Sequence, residues 1–461
     1  MSIVGAFILP HPPLIVPEVG KGQERNIQST IDAYEESARR IAEIKPNVIV
    51  LVSPHNVMYA DYFHISPGWS ADGDLSQFAG NTPKIHAEYD RDLVSAIESE
   101  AEKSGLHAGT QGERSASLDH ATVVPLYFIN KRYKDYKLVR IGVSGFTFSD
   151  HYRFGQCIAA AAEKLKRNVI FIASADLSHR LSKNGPYGLT SEGAEFDKQI
   201  TAAMAAADFK QFLSFSPDFC EKAGECGLRP CIVIAGALDR KKVNAELLSY
   251  EGPFGVGYAV ASFIPLGDDS SRDFLDQFLS AERKRLSKTK GNEDDYVRLA
   301  RYIIEHYIKT GKRPPLPEGL PGEMLSNRAG VFVSLKKHGN LRGCIGTIGP
   351  VTKNIAEEIS RNAVSAGFED PRFDSLEPHE LDDLVYSVDV LAEPEFITSP
   401  DELDVTRYGV IVTCGHKRGL LLPNLEGVDT VEKQIDIARQ KAGISKFEPY
   451  SLERFEVVRH K

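Results

Sequence analysis

Two histidines of this sequence stand directly behind apolar runs, each with a proline just before it. His11 ends the first apolar run of the chain, and His55 follows the run 48–52. Proline restricts the backbone around it, so both imidazoles should be held in fixed directions. A third apolar run, 169–173, is followed a few residues later by His179. Neutral imidazole is a good ligand for Zn, Fe, Cu and Ni, and this repeated context therefore predicts a metal site.

The apolar runs are predicted to be the buried strands that position these histidines. Ligands of open α/β sheets bind outside the carboxyl ends of the strands, so three strands that each lead to a histidine predict one common site. Between the runs, apolar residues recur at helical spacing, as in 23–44 and 151–165. The all-apolar run 48–52 suits a strand that is covered on both faces. The pattern predicts an α/β protein.

Each of these histidines also has a purely structural explanation. His11 and His55 could be core or loop histidines with satisfied hydrogen bonds, and His179 could face solvent from a loop. His11 and His55 share the same context, an apolar run followed by Pro-His. This weakens the structural explanation, because chance produces two such arrangements less often than one. His179 has the best claim to acid–base work, since the ordinary pKa of an imidazole lies near neutral.

Two further segments place polar side chains at the starts of predicted helices. His120 could hold a substrate oxygen at a pocket rim, or it could be a spectator beside Asp119, which is well placed to cap the helix. Glu225 and Cys226 stand side by side before another predicted helix. A carboxylate or a thiolate is stabilised at a helix N-terminus, and either could complete a metal triad. The alternative is that Cys226 is buried and unreactive.

Length and composition limit the classes of function. A chain of 461 residues is too long for one ordinary core, so two domains are expected. The net charge of −9 argues against a general nucleic-acid-binding protein. No apolar run reaches the length of a membrane helix, and six cysteines in so long a chain are not a disulfide framework. A cytoplasmic protein that binds neither membranes nor nucleic acids is therefore expected.

A change in composition predicts where the domains meet. The first domain is predicted to span 1–268, and a linker rich in Ser, Asp, Lys and Arg to span 269–292. In the second domain, 293–461, Arg342 stands two residues before Cys344 in a glycine-rich segment. A thiol beside a cation ionises more readily, so Cys344 is a candidate nucleophile. The alternative is a small buried cysteine in a strand or turn.

The first domain resembles the class III extradiol ring-cleavage dioxygenases, the family of the catalytic subunit of protocatechuate 4,5-dioxygenase, and their Memo relatives. The segments that carry the resemblance are the strand ending in His11, Ser53-Pro54-His55, Asp119-His120-Ala-Thr-Val-Val-Pro125-Leu and Leu177-Ser178-His179. The resemblance implies a mixed sheet flanked by helices. It also implies that His11 and His55 bind a metal, normally Fe(II), with another divalent metal as the second choice. His120 would then contact the substrate, and His179 would be the acid–base residue.

The third metal ligand is open between two neighbours. In the dioxygenases this ligand is a carboxylate, which Glu225 could supply. In Memo proteins the corresponding residue is a cysteine in a Cys-Gly-x-x-Pro context, which the segment from Cys226 to Pro230 matches. The register to the segment Gly236-Ala-Leu favours Cys226 narrowly.

The second domain resembles the AMMECR-type domains and is predicted to be a smaller α+β domain. The segments that carry the resemblance are Leu341-Arg-Gly-Cys-Ile-Gly-Thr-Ile, Phe368-Glu-Asp-Pro-Arg-Phe and Gly419-Leu-Leu-Leu-Pro. Fusions of these two domains resemble components of the AmmeMemoRadiSam system. The resemblance implies a radical-SAM protein as a partner.

Three functions follow from these resemblances. The first is an Fe(II)-dependent, dioxygenase-like oxidoreductase that acts on a small aromatic or catecholic substrate with O2. The second is a Memo-like metal-binding and interaction protein without ring cleavage, and the third is metal-dependent hydrolysis or another non-oxidative reaction. His179 separates the first two best, because a binding module needs no base beside its metal. Association into a homo-oligomer is left open.

Overall fold

The computed structural model describes residues 2–79, 82–185, 187–337, 340–425 and 427–461. Packing divides the chain into two compact units, Met1–Ser280 and Ala281–Lys461. Among the described residues, none of the helices is both long enough and apolar enough to cross a membrane. The predicted linker contains a helix, and its role as a linker stays a prediction.

The elements of the first unit alternate between strands and helices for most of its length. Its strands are β1 Ile3–Leu9, β2 Val48–Ser53, β3 Phe63–His64, β4 Ser70–Gly73, β5 Ile85–Glu88, β6 Ala108–Gly109, β7 Lys137–Gly142, β8 Val169–Ser174, β9 Lys241–Glu251 and β10 Tyr258–Asp268. Its helices are α1 Pro17–Gly20, α2 Gln28–Ile44, α3 Arg91–Lys103, α4 His120–Asn130, α5 Phe148–Lys164, α6 Ser191–Ala206, α7 Phe209–Ser214, α8 Pro217–Ala223 and α9 Leu228–Ala237, and α10 Phe274–Gly291 runs past the end of the unit.

The main sheet of the first unit is mixed, as predicted. Among the described residues it has the strand order β7-β2-β8-β1-β10-β9. The strands β7, β2, β8 and β1 are parallel, whereas β10 is antiparallel to β1 and β9 is antiparallel to β10. The carboxyl ends of β2, β8 and β1 are therefore neighbours at one edge. Residues that follow these three strands can meet there, although they lie far apart in the sequence.

Both faces of this sheet are buried, which explains why its central strands read as continuous apolar runs. Along β1, Ala6 and Ile8 point into one core while Phe7 and Leu9 point into the other. Helices α2 and α4 cover the second of these faces, and α3, α5 and α9 cover the first. Complete burial of a side chain as large as Ile, Leu or Phe contributes about 1.5–3 kcal/mol to the free energy of folding. The packing of both faces therefore fixes the strand ends that carry the histidines.

The second unit is a smaller α+β domain, as predicted. Its helices are α11 Asp295–Thr310, α12 Gly322–Ser326, α13 Ile355–Phe368 and α14 Val431–Ala442. Its strands are β11 Gly330–Lys337, β12 Asn340–Gly346, β13 Leu384–Leu391, β14 Glu395–Ile397, β15 Gly409–Cys414, β16 Lys417–Leu421, β17 Ser451–Phe455 and β18 Val457–His460. They form two antiparallel sheets, β12-β11-β13-β18 and β14-β17-β15-β16. Helices α11 and α13 share a core with the first sheet, and α14 shares one with the second.

Candidate metal centre

His11 is held rigidly just beyond the end of β1. Its backbone N–H donates to Oδ1 of Asp176 at 2.7 Å, and its side chain is only 2% exposed. Nδ1 of the ring lies 2.9 Å from the hydroxyl of Ser174, which itself donates to the main-chain oxygen of Ala121 at 2.6 Å. Because the hydroxyl proton of Ser174 is used in this bond, its oxygen can only accept from the ring. Nδ1 therefore carries the ring proton and donates to Ser174. The lone pair of Nε2 is left free to bind a metal.

His55 is anchored through the residue at the end of β2. Its backbone N–H donates to Oγ of Ser53 at 3.1 Å, and Ser53 in turn donates to Oδ1 of Asp119 at 2.7 Å. Asp119 also accepts from the backbone N–H of Thr122 at 3.0 Å, which confirms that it caps α4. The carboxylate of Asp119 therefore connects the turn that carries His55 to the N-terminus of α4, where His120 lies.

The structure brings Cys226 to the two imidazoles. It lies just before α9, and its Sγ is 3.7 Å from Nε2 of His11. The next residue, Gly227, allows this approach: a Cβ atom there would lie 2.5 Å from the main-chain oxygen of Asp176. Glu225 is used differently, because its Oε2 accepts the backbone N–H of Leu228 at 2.6 Å and holds the first turn of α9. The geometry thus places the sulfur, rather than this carboxylate, with the histidines.

The donor atoms of His11, His55 and Cys226 all lie within 4.8 Å of one another. The two Nε2 atoms are 3.1 Å apart. Tetrahedral bonds of about 2.0–2.1 Å to nitrogen and 2.3 Å to sulfur would separate two nitrogens by about 3.3 Å and a nitrogen from a sulfur by about 3.6 Å. Two of the three separations, 3.1 Å between the nitrogens and 3.7 Å from Nε2 of His11 to the sulfur, are close to these values, and the third lies within 4.8 Å. The three residues therefore fit a divalent metal.

The protonation states of the imidazoles also fit a metal. Burial, together with the positive charges that His55, His120 and His179 can carry, lowers the pKa of His11 well below its ordinary value. Burial also lowers the pKa of His55 and of His179, and it lowers that of His120 to about 4. Neutral imidazole is the form that binds metals, so these rings need no deprotonation near neutral pH.

Cys226 differs from the histidines, because burial raises the pKa of its thiol well above the ordinary value. The S–H group lies 3.7 Å from the main-chain oxygen of Asp176, which accepts its proton. A coordinating metal deprotonates a thiol outright. Metal binding at this centre should therefore release one proton from sulfur.

His120 and His179 both lie near the three metal-binding candidates. The ring of His120 lies 4.4 Å from that of His55, 5.5 Å from that of His11 and 5.3 Å from that of Phe78. Nδ1 of His179 lies 2.7 Å from the main-chain oxygen of Gly224 and donates to it, which leaves Nε2 as the basic nitrogen. The structure thus gathers all four predicted histidines.

Two residues of the centre were missed by the sequence analysis. Asp176 lies 3.7 Å from Nε2 of His11 through Oδ2, and burial raises its pKa to about 7. It follows a strand end by two residues, so the strand-end pattern that selected the histidines could have selected it as well. Ser174 offered no such signal, because it is the last residue of the strand itself rather than a residue that follows the strand end.

In the second unit, Arg342 and Cys344 both lie on β12, an edge strand of the described sheet. The guanidinium of Arg342 donates to both carboxylate oxygens of Glu380, at 3.0 Å from Nε and 2.8 Å from Nη2. Oγ of Ser334 donates to Sγ of Cys344 at 3.2 Å. The predicted roles of Arg342 and Cys344 stay predictions.

Comparisons with known proteins agree with this architecture. A family model described as the catalytic LigB subunit of aromatic ring-opening dioxygenase matches residues 5–261, and the AMMECR1 model matches residues 297–460. A protein of Clostridium acetobutylicum is 44% identical over 469 residues, which cover 100% of both chains. A protein of Thermotoga maritima is 49% identical over 171 residues, 37% of this chain and 98% of its own.

Among solved structures, an uncharacterised protein of Pyrococcus horikoshii is similar to part of the chain. It is 34% identical, covers 36% of this chain and 88% of its own, and has a TM-score of 0.34. The family models cover both units in the order that the sequence segments indicated. The chain belongs to the family of the catalytic LigB subunit of aromatic ring-opening dioxygenases, and an AMMECR1 domain follows the LigB domain in the same polypeptide.

Proposed function

We propose that the first unit is a metal-dependent oxidoreductase of the extradiol dioxygenase type, acting on a small aromatic or catecholic compound. The observation that carries the proposal is the meeting of His11, His55 and Cys226 near His179, whose Nδ1–H donates to Gly224 and whose Nε2 is therefore the basic nitrogen. Three protein ligands leave positions on a metal for other molecules. Family membership adds that aromatic ring opening is the chemistry of the catalytic LigB subunit.

Fe(II) is the metal that we propose for this centre, with another divalent metal as the second choice. Imidazole and thiolate ligands suit iron as well as zinc and copper. When bound, the metal would hold the substrate oxygens and supply the redox chemistry with O2. His11 and His55 would hold it through Nε2, and Cys226 would hold it through Sγ.

His179 is suited to take a proton from a phenolic hydroxyl group. Its Nδ1–H is committed to Gly224, so Nε2 is the atom that accepts. Burial lowers its pKa, which keeps the ring neutral and able to accept a proton near pH 7. General base catalysis of this kind contributes about 10²–10⁴-fold to a rate.

The surroundings of the centre suit a flat, apolar ligand. The ring of Phe78 packs edge-on against His120, and the ring of Tyr187 packs edge-on against His179 at 5.4 Å. Both aromatic side chains are largely exposed, at 46% and 61%, and so are available to a bound molecule. Aromatic pairs in such edge-to-face arrangements are favourable by about 0.5–1.5 kcal/mol, which supports an aromatic substrate. His120 would hold a substrate oxygen near these two aromatic rings.

A second candidate function is a Memo-like metal-binding and interaction protein without ring cleavage. The observation that favours it is the sulfur of Cys226 beside the histidines, because a thiolate changes the electronics of a bound metal relative to a carboxylate. In this alternative the chain would work with partner proteins, for which a radical-SAM protein is the proposed candidate.

Metal analysis of anaerobically purified protein tests both functions. We expect close to one iron per chain after reconstitution with Fe(II), and its loss in His11→Ala. The matched control is His86→Ala, which removes an exposed histidine that is paired with Asp72 at 2.8 Å. A panel of catechols with O2 should then give yellow ring-fission products. Iron without turnover would support the second function, and the absence of metal binding would contradict both.

A further inference from the structure

A concave surface of about 400 Å³ in the second unit is lined by Arg342, Pro371, Arg372, Phe373 and Asp374. Beside it lies Cys344, whose main chain is hydrogen-bonded to two residues of the same loop. We propose that this surface is a second ligand site, in which Cys344 is a nucleophile and Arg372 binds the carboxylate of a small electrophilic compound. This site is independent of the metal centre and of the function proposed for the first unit.

The position of Cys344 follows from the packing of β12. Its neighbour Gly343 faces α13, where a Cβ atom would lie 2.1 Å from the main-chain oxygen of Ala366. Glycine at position 343 therefore allows β12 to lie against α13. The next residue, Cys344, points to the opposite face of the sheet, because successive side chains alternate along a strand. There Cys344 stands directly across from Ser334 of β11, whose hydroxyl donates to the sulfur. A hydroxyl donor stabilises the thiolate, which is the nucleophilic form.

The loop after α13 binds the open edge of this strand. Because β12 is an edge strand, the backbone of Cys344 is free to pair outside the sheet. Its N–H donates to Oδ2 of Asp370 at 2.9 Å, and its carbonyl accepts from Nη2 of Arg372 at 3.1 Å. The pairing fixes both the thiol and the guanidinium relative to one backbone unit.

Among the described residues, one guanidinium nitrogen of Arg372 has no hydrogen-bond acceptor, whereas every guanidinium nitrogen of Arg342 has one. Nε and Nη2 of Arg372 donate to Asp370 at 2.9 and 2.7 Å, whereas its Nη1 donates to none of the residues that the structure describes. All three nitrogens of Arg342 donate to Glu380 or to main-chain oxygens of 374 and 375. Hydrogen bonding to Asp370 raises the pKa of Arg372. Nη2 of Arg372 also lies 3.1 Å from the main-chain oxygen of Cys344, so the guanidinium stands next to the residue that carries the thiol.

The charges around this surface balance, so net charge alone would not select an anion. The cations Lys337 and Arg342 pair with the carboxylate of Glu380, and Arg372 pairs with that of Asp370. Asp374 adds a third carboxylate to the lining of the surface. Selection must then come from the open N–H groups of Arg372, which can form charge-assisted hydrogen bonds to a carboxylate. The ring of Phe373, 5.4 Å from the guanidinium carbon of Arg372, supplies an apolar wall beside them.

Alkylation by iodoacetate and by iodoacetamide tests the proposal, because the two reagents share a leaving group and differ in one carboxylate. In each reaction the thiolate sulfur of Cys344 forms a bond to the CH2 carbon, the carbon–iodine bond breaks, iodide leaves, and the thiol proton passes to solvent. Rates are measured on the full chain by mass spectrometry of the separate cysteine peptides. Cys414, half-buried and free in the same unit, is the internal reference.

We expect Cys344 to react faster than Cys414 with both reagents. Its rate ratio of iodoacetate to iodoacetamide should exceed that of Cys414 by about threefold, the effect of one exposed charge interaction. Arg372→Gln should bring this ratio down to that of Cys414, and Ser334→Ala should slow both reagents at Cys344 without changing the ratio. An unchanged rate at Cys414 shows that each variant is folded.

Equal ratios at Cys344 and Cys414 in the unaltered protein would overturn the assignment of Arg372. Slower reaction at Cys344 than at Cys414 with both reagents would overturn its assignment as a nucleophile. Both comparisons use the unaltered protein, so they test the assignments of Arg372 and Cys344 even if Arg372→Gln fails to fold.

Discussion

Oγ of Ser174 lies 2.9 Å from Nδ1 of His11 and donates its own proton to the main-chain oxygen of Ala121. This pair sets the tautomer of the histidine, because the serine oxygen can only accept from the ring. The strand that carries Ser174, β8, lies between the strands that lead to His11 and His55. The centre of the sheet thus supplies the contact that orients a metal-binding candidate.

Ser174→Ala should weaken metal binding while leaving all three donor residues in place. Loss of a hydrogen-bond partner of a metal-binding histidine costs about 10–100-fold in affinity. Metal affinity is measured by competition with a chelator. The matched control is Ser178→Ala, which removes a buried hydroxyl that donates to the main-chain oxygen of Ala223 at 2.8 Å. Equal metal affinities of the two variants would contradict this role of Ser174.

Cys226→Ser and Glu225→Gln should differ in metal content, although the residues are neighbours. Cys226→Ser should lose metal, since it removes the sulfur that lies with the two imidazoles. Glu225→Gln should keep it, because the side chain holds the start of α9 through Leu228, and an amide oxygen can still accept that hydrogen bond. We expect the second variant to lose only about 0.5–1.5 kcal/mol of stability. Metal per chain and thermal unfolding are measured for both, and the reverse pattern would make the carboxylate the third ligand.

Much of the metal centre could be predicted from local sequence because its histidines follow strands. His11 and His55 stand at proline-fixed strand ends, and the sheet then brings such ends together. The roles of Ser174 and Asp176 could not be predicted in the same way. They depend on β8 lying beside β1, and the order of strands in a sheet is not encoded in any single segment.

In the rest of the fold, the sequence analysis assigned no element to β9. The segment alternates between Val243, Ala245 and Leu247 on one face and polar residues on the other, a pattern that indicates a strand with one covered face. In the second unit, the guanidinium of Arg342 binds Glu380, a contact that the sequence analysis did not predict, and the predicted role of Arg342 beside Cys344 stays a prediction. That partner is distant in sequence and is brought close only by the fold.

His179→Ala should slow turnover without loss of metal. The residue lies beside the metal-binding candidates, and its Nδ1 donates to Gly224. On a substrate found in the catechol panel, removal of a general base should lower kcat by about 10²–10⁴-fold. Metal content per chain and kcat are measured in parallel, with His86→Ala as the control for loss of a remote histidine. Full activity of His179→Ala would contradict its role as the base.

Asp197→Asn should change how stability depends on pH. Asp197 is completely buried; its Oδ1 accepts the backbone N–H of Ser178 at 2.8 Å, and its Oδ2 accepts the hydroxyl of Tyr250 at 2.9 Å. Burial raises the pKa of this carboxyl to about 7. Between the unfolded pKa, about 3.9, and the folded pKa, the unfolded chain gives up a proton that the folded chain keeps. The free energy of unfolding should therefore fall as the pH rises through this window, and then level off above pH 7.

Urea titrations of metal-free protein at pH 5 and pH 7.5 measure this effect. At about 1.4 kcal/mol per unit of pH, the unaltered protein should lose roughly 2–3 kcal/mol more than Asp197→Asn between the two conditions. Asp61→Asn serves as the control, because it removes an exposed carboxyl group and should follow the unaltered protein. Parallel behaviour of Asp197→Asn and the unaltered protein would mean that Asp197 is ionised in the fold. The buried bond to Tyr250 would then be one between a hydroxyl and a carboxylate.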